Sequence, residues 1–258
     1  MSIPDGVKSI GEFAFSGWYS GGVPATQIEK IEIPASVTDI GRQAFGNCEK
    51  LKTISFEADS KLVKIGYAAF SNCSKLSEVT IPAGVTNIEA YAFYLCSGLQ
   101  SVTFAPNSQL ETIELGVFDY CPALNTIYCE SALKEKLSGV IDETKVKIIV
   151  THWNVSFVTD DDTTTKLVEN NKTVEKPTTD PTKEDYIFAG WYTKDASGNW
   201  ADEPFDFDTP ITDDVTLYAR WGVEATPIGP ATRLYPITID YGTAYNADGD
   251  PIEKAAEG

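Results

Sequence analysis

The apolar positions of the first 150 residues return in one phrase, an isoleucine followed five residues later by a phenylalanine. It reads Ile10 to Phe15, Ile40 to Phe45, Ile65 to Phe70, Ile88 to Phe93 and Ile113 to Phe118, with the phenylalanines 30, 25, 23 and 25 residues apart. After each of the last four comes a cysteine at the same offset (Cys48, Cys73, Cys96, Cys121), where the first repeat has Trp18. A second pattern follows each of these four phrases, with apolar residues at its first, fourth and sixth positions: Leu51, Ile54, Phe56; Leu76, Val79, Ile81; Leu99, Val102, Phe104; Leu124, Ile127, Cys129. Side chains alternate faces along a strand, so the fourth and sixth positions point inward and the residue between them outward.

A period of 20 to 50 residues is the mark of a solenoid, because a single unit cannot bury both its aromatic and its strand face. The pattern therefore predicts five stacked coils with one continuous core. The turns alternate between Pro34-Ala35-Ser36-Val37-Thr38 and Pro82-Ala83-Gly84-Val85-Thr86 on one side and Asp59-Ser60-Lys61-Leu62 and Asn107-Ser108-Gln109-Leu110 on the other, which suggests a two-repeat structural unit. Repeat one carries an insertion around Gly17 to Thr26. An open solenoid end needs a cap. Ser131 to Leu137 reads as a short amphipathic helix and Lys145 to Val150 as a last strand, so the array is expected to end near residue 150.

Beyond it the pattern changes. Trp153 to Val158 alternates as a strand, and Tyr186 to Tyr192, Phe205 to Phe207 and Ile211 to Trp221 are short, β-prone and flanked by turn residues. Four strands within residues 151–222 predict a small, mostly β module. Gly222 to Pro230 reads as a linker, and Tyr235 to Tyr241 as the opening of a further, truncated module within 223–258.

The shared pattern of Ile-Pro, Val-Thr-x-Ile, Ala-Phe and Asn-Cys in residues 1–150 resembles the BspA-like leucine-rich repeats of bacterial surface proteins. The Gly190-Trp191-Tyr192 and Leu217-Tyr218-Ala219-Arg220-Trp221 phrases resemble the Listeria-Bacteroides repeat, or internalin B-repeat, whose fold is similar to a β-grasp. The family's early Gly-Gly turn is replaced here by Asp160-Asp161-Asp162-Thr163 and its Gly-Tyr by Asp185-Tyr186. The fold class expected is thus a leucine-rich-repeat solenoid followed by a β-grasp-like module. The resemblance implies a secreted or cell-surface bacterial protein of adhesive or host-contact type, with a host or matrix protein as partner. The sequence opens inside a repeat, so a larger parent protein bearing the secretion signal and anchor is expected.

Charge narrows the partners further. Against 20 Lys and Arg stand 38 Asp and Glu, a net −18 that repels nucleic acid and anionic membrane surfaces. No apolar run reaches the roughly 18 residues a membrane helix needs. A lone histidine, His152, has no triad partner in view, and the paired carboxylates (Asp160 to Asp162, Asp202-Glu203, Asp213-Asp214) read as solvated turns, so no enzymatic activity, catalytic residue or cofactor is expected. The cysteine column reads as buried reduced thiols in preference to disulfides or a metal set. The oxygen-rich loops 195–199 and 246–250 lack EF-hand spacing and read as turns, with calcium left open.

The aromatic phrases could serve as ligand-stacking platforms, but their regular recurrence reads as core. The outward strand positions are the candidate protein-binding face: Lys30, Glu32, Thr53, Ser55, Glu78, Thr80, Ser101, Thr103, Thr126 and Tyr128, expected to form one continuous sheet surface. A monomer is favoured. Two other readings stay open: an accessory binding or spacer region of a larger exported enzyme, and glycan binding by the module at 151–222.

Overall fold

In the computed structural model, residues 3–17 and 27–223 are described, together with the backbone of three short strands at 239–240, 243–245 and 251–252. The Gly17 to Thr26 insertion beyond Gly17, Trp18, and most of the expected linker, tail strand and 246–250 loop lie outside them. The chain divides into two compact units, Met1–Trp153 and Asn154–Gly258.

In the first unit each coil contributes two strands. Short ones, β1 (Ser9–Ile10), β3 (Asp39–Ile40), β5 (Lys64–Ile65), β7 (Asn87–Ile88) and β9 (Thr112–Ile113), form a five-stranded parallel sheet in that order. Longer ones, β2 (Lys30–Ile33), β4 (Thr53–Phe56), β6 (Glu78–Ile81), β8 (Ser101–Phe104) and β10 (Thr126–Glu130), carry the alternating pattern, with every fourth-position residue buried. The turn alternation is visible in the backbone. Val37 and Val85 N–H close tight turns onto the Pro34 and Pro82 carbonyls, whereas Asp59 and Asn107 take φ of 58° and 60°.

The aromatic phrase is where coils are joined. In repeat two, Gln43, Phe45 and Asn47 donate their N–H groups to the carbonyls of Tyr67, Ala69 and Ser71 in the next coil, at 2.8 Å each. Every second amide can point the same way only if the residues between bend back, and the chain achieves this with left-handed residues four apart: Gln43 and Asn47, Ala68 and Asn72, Tyr91 and Leu95, Gly116 and Tyr120. Each non-glycine residue there costs about 1 kcal/mol or more, least for Asn, and the inter-coil hydrogen bonds offset it. Between these bends the phenylalanines stack: Phe15, Phe45, Phe70, Phe93 and Phe118 have successive ring centroids 5.1, 5.1, 5.3 and 5.9 Å apart, with planes within 17°.

The cysteines are free and buried, and their thiols are also donors. Cys48, Cys73, Cys96 and Cys121 Sγ donate to the Phe15, Phe45, Phe70 and Phe93 carbonyls of the preceding coil, at 3.1 to 3.4 Å. The Phe45, Phe70 and Phe93 oxygens also accept the amide of the cysteine in their own coil, so both lone pairs are used. Burial pushes the Cys48 thiol up to about 12 and that of Cys129 up to about 11. Cys121 is raised by the Cys96 thiol beside it and by burial. At Cys96 the Cys121 contact works downward, but Cys73 and burial outweigh it and the group is raised. Thiolate is the reactive form, so these groups should resist alkylation in the native protein and all react once it is denatured, as a timed thiol assay would register. Cys96→Ala removes one donor and leaves a small void, with an expected loss of about 2 kcal/mol in denaturant titration and a smaller one for Cys96→Ser, which keeps a donor.

The array closes on a 3-10 turn, Ser131–Leu133, running into α1 (Lys134–Ser138), which bury Leu133 and Leu137 against the last coil. Lys136 Nζ bonds the Leu110 carbonyl. The first half of β11 (Lys147–Val158) then pairs in parallel with β10. On the loop before it, the Lys145 ammonium, with help from Thr144, holds the exposed Asp142 carboxyl down at about 2.

In the second unit, the end of β11 pairs in parallel with β14 (Val215–Gly222), which pairs antiparallel with β13 (Ile187–Tyr192), and β12 (Thr163–Glu169) pairs with β11. The unit is mostly β, around Val155, Phe157, Val168, Trp191, Leu217 and Trp221. Two expectations need correction. Phe205 to Phe207 is not a strand. Asp206 Oδ1 accepts the Asp208 amide and its carbonyl the Thr209 amide, turning the chain there while Phe207 stacks on Phe157 at 6.4 Å. The strand expected from Ile211 begins only at Val215, and β12 was not expected at all: its Thr-rich, mainly exposed sequence lacks an apolar alternation. Where the family's glycines are replaced, the turns survive by other means. Thr159 and Asp162 exchange hydrogen bonds across the Asp-rich turn, and Asp185 adopts φ 64°.

Candidate interaction faces

The parallel register lines up the outward side chains of the long strands in two rows. Lys30 faces Thr53 and Glu32 faces Ser55; Glu78, Ser101 and Thr126 form one row beyond, and Thr80, Thr103 and Tyr128 the other. Lys30, Glu32, Thr53, Ser55, Glu78 and Thr80 are exposed, and Ser101, Thr103, Thr126 and Tyr128 half-buried. The rows are not one continuous sheet. Pairing stops between β4 and β6, which belong to separate sheets.

Proline accounts for the opening at one end of that seam. Glu57 and Ala105, each one residue past its strand, donate to the Ile33 and Ile81 carbonyls of the preceding coil. The residue in that position after β6 is Pro82, which has no N–H to give to Phe56. A groove of about 560 Å³ lies along the seam, lined by Ser55, Glu57, Asp59, Thr80, Pro82 and Gly84 among others. Nearby charge is held within the protein. Glu57 Oε2 accepts the Ala35 amide at 2.9 Å, and Lys52 pairs with Glu29 at 2.9 Å, an exposed bridge of little energetic weight that lowers the Glu29 carboxyl.

A second face corrects the core reading of the aromatic phrases, which holds for their phenylalanines and not for their tyrosines. Outward residues of the aromatic phrases include Tyr67, Tyr91, Tyr94 and Tyr120, whose rings meet edge to face along the array. They border an open groove of about 710 Å³. The signal was present in the tyrosines between the core phenylalanines, but strand alternation does not apply to a stretch whose backbone bends every four residues.

In the second unit, Tyr192, Trp200 and Tyr218 are interleaved with cations. Lys194 Nζ lies 4.0 Å from the Trp200 ring centre and Arg220 4.7 Å from that of Tyr192, so the ring faces a sugar would stack on are shared with the protein's own side chains. Asp195 accepts the Ser197 and Asn199 amides and the Asn199 carboxamide, which draw its carboxyl below the usual range and make loop 195–199 an Asx-type turn. His152 is half-buried, with Nδ1 3.0 Å from the Thr151 hydroxyl. Among the described residues no cluster of three or more His, Cys, Asp or Glu is arranged to hold a metal, and no helix is long and apolar enough to cross a membrane.

Residues 24–146 match the BspA type leucine rich repeat region, in six copies, and residues 153–220 the Listeria-Bacteroides repeat domain. No curated protein matches the chain. Among solved structures it is similar to a leucine rich cell surface protein of Faecalibacterium prausnitzii (29% identity over 49% of this chain and 31% of that one, TM-score 0.42). It is also similar to the leucine rich repeat protein of T. pallidum (28%, 50% and 57%, 0.43) and to the pneumococcal vaccine antigen PcpA (26%, 58% and 36%, 0.43). The chain thus spans between about a third and just over half of the length of these neighbours.

Proposed function

Because residues 24–146 belong to the BspA type leucine rich repeat family and residues 153–220 to the Listeria-Bacteroides repeat domain, we propose that the protein is a non-enzymatic interaction protein, secreted or displayed on a bacterial surface. The strand face of the array binds a host or matrix protein, and the β module serves as a spacer. One observation carries the reading: ten small or polar side chains in two rows, broken by a groove where Pro82 leaves the ladder open. Small side chains let a partner approach closely, and unpaired strand edges along a groove offer amide and carbonyl groups for recognition.

The test is capture from host matrix or mucus by the full chain. Thr80→Lys, in the groove, and Thr103→Lys, beside it, each add a long cation to a row that carries none and should weaken capture by about tenfold or more while leaving the melting temperature unchanged. Undiminished capture by both variants would place the binding site off this face. The alternative, an accessory region of a larger exported enzyme, requires a catalytic domain in the same gene, which sequencing the locus decides.

A further inference from the structure

Six large apolar side chains stand exposed among the described residues, and four of them, Tyr91, Leu95, Leu115 and Tyr120, belong to the aromatic phrases of repeats four and five and their flanks. None lies on the strand rows. Tyr91, Leu95 and Tyr120 border the 710 Å³ groove together with Tyr67, Tyr94 and Asp119. Tyr67 to Tyr91, Tyr91 to Tyr94 and Tyr94 to Tyr120 are 5.7, 5.3 and 5.3 Å apart, with planes at 79°, 82° and 71°, so clefts separate rings that do not lie flat on one another.

Backbone geometry says these side chains are not there for stability. Leu95 and Tyr120 hold φ of 59° and 57° at the position filled in repeats two and three by Asn47 and Asn72. Asparagine is tolerated in that conformation far better than leucine or tyrosine. The array had the less strained residue available and set it aside twice, next to each other, where the side chain lines the groove. Left-handed residues recur in every coil, but only here does a large side chain replace asparagine at this position, and such added strain marks contact residues. Repeat five also makes room for the row: Gly116, at φ 73°, lies so close under Tyr91 that a Cβ there would fall 2.6 Å from its ring.

Charge and shape select the occupant. No lysine or arginine lines the groove, the exposed Asp119 does, and the protein carries −18 overall. The first ring of the row already holds a guanidinium, since Arg42 sits 4.5 Å over Tyr67. We propose that the groove binds an extended, arginine-bearing peptide in polyproline II form, its guanidinium groups lying against Tyr91, Tyr94 and Tyr120 and one of them pairing with Asp119. One turn of that helix advances about 9 Å, close to the two ring steps from Tyr91 to Tyr120, and aromatic clefts are the usual receptors for it. A glycan would need broad open ring faces, which an edge-to-face row does not offer. This surface is separate from the strand face and does not rest on the function proposed for it.

The full chain is titrated with a fluorescent peptide repeating Arg-Pro-Pro, with its Glu-Pro-Pro counterpart, and with a neutral β-linked oligosaccharide. The arginine peptide alone should bind, more weakly as salt is raised. The double variant Leu95→Asn, Tyr120→Asn should melt no earlier than the parent and bind about tenfold or more weakly. Asp119→Asn, at an exposed side chain, should weaken binding by about three- to tenfold, and it carries the test alone if the double variant melts early. Equal binding of the glutamate peptide, unchanged affinity in these variants, or binding of the oligosaccharide in place of the peptide overturns the assignment.

Discussion

Phe70→Ala should lower the stability of the array by about 3–5 kcal/mol, a large part of what a domain of ordinary stability possesses. Phe70 is fully buried in the middle of the stack, with Phe45 5.1 Å away on one side and Phe93 5.3 Å on the other. Its removal takes away a ring contact on both sides and opens a void that neither neighbour can fill, because each is fixed by its own coil's hydrogen bonds to the next. Phe118, at the end of the row and with one ring neighbour at 5.9 Å, should cost less on the same change. The measurement is urea titration followed by circular dichroism. Equal losses at the two positions would mean that the row does not act as a stack.

Gly66→Val should be at least as damaging, by a different route. A Cβ on Gly66 would lie 2.7 Å from the Ile40 carbonyl oxygen and 2.9 Å from the Gly41 carbonyl carbon, atoms of the preceding backbone that no side-chain rotation can move away. The two coils must separate, which strains the Gly66 N–H bond to Ile40 and the hydrogen bonds that follow it. An expected cost of about 3 kcal/mol or more follows from overpacking against backbone. In repeats four and five the equivalent residues are Glu89 and Glu114, so the position is not uniformly closed. There the carboxylates reach back to accept the Tyr67 and Ala90 amides at 2.7 and 2.8 Å. At Glu89 burial works to raise the carboxyl, but Lys64 at 2.6 Å and the Tyr67 amide outweigh it. Gly66→Glu should nevertheless be destabilising as well, since any Cβ at residue 66 meets the Ile40 and Gly41 backbone.

Much of this architecture was legible in the sequence because it is periodic. Ile54, Val79, Val102 and Ile127 recur at one strand position, and the structure buries all four. The phenylalanines were readable as core for the same reason. What escaped were features that the apolar pattern does not encode. The opening at one end of the broken ladder follows from Pro82 lacking an amide where Glu57 and Ala105 have one, a difference that a pattern of apolar positions does not register. The thiol hydrogen bonds were hidden because a buried cysteine looks the same in sequence whether its sulfur packs or donates. In the β module, β12 escaped notice because its threonines are all exposed and give no apolar alternation. The tyrosine row was missed because outward direction in the aromatic phrase depends on left-handed residues, which only Gly116 and the asparagines announced.

The seam at Pro82 has a mechanical side. Elsewhere along the long strands, bending the array means stretching hydrogen bonds in every pair, but between β4 and β6 the sheet carries no such pairing to stretch. A load applied across the array meets its least resistance there, with the phenylalanine stack and the short-strand sheet, paired from β1 through β9, left to act as the tendon that keeps the halves together. A partner seated in the groove would splint that compliant joint, so the same proline that opens the surface also makes the stiffness of the array depend on whether the surface is filled.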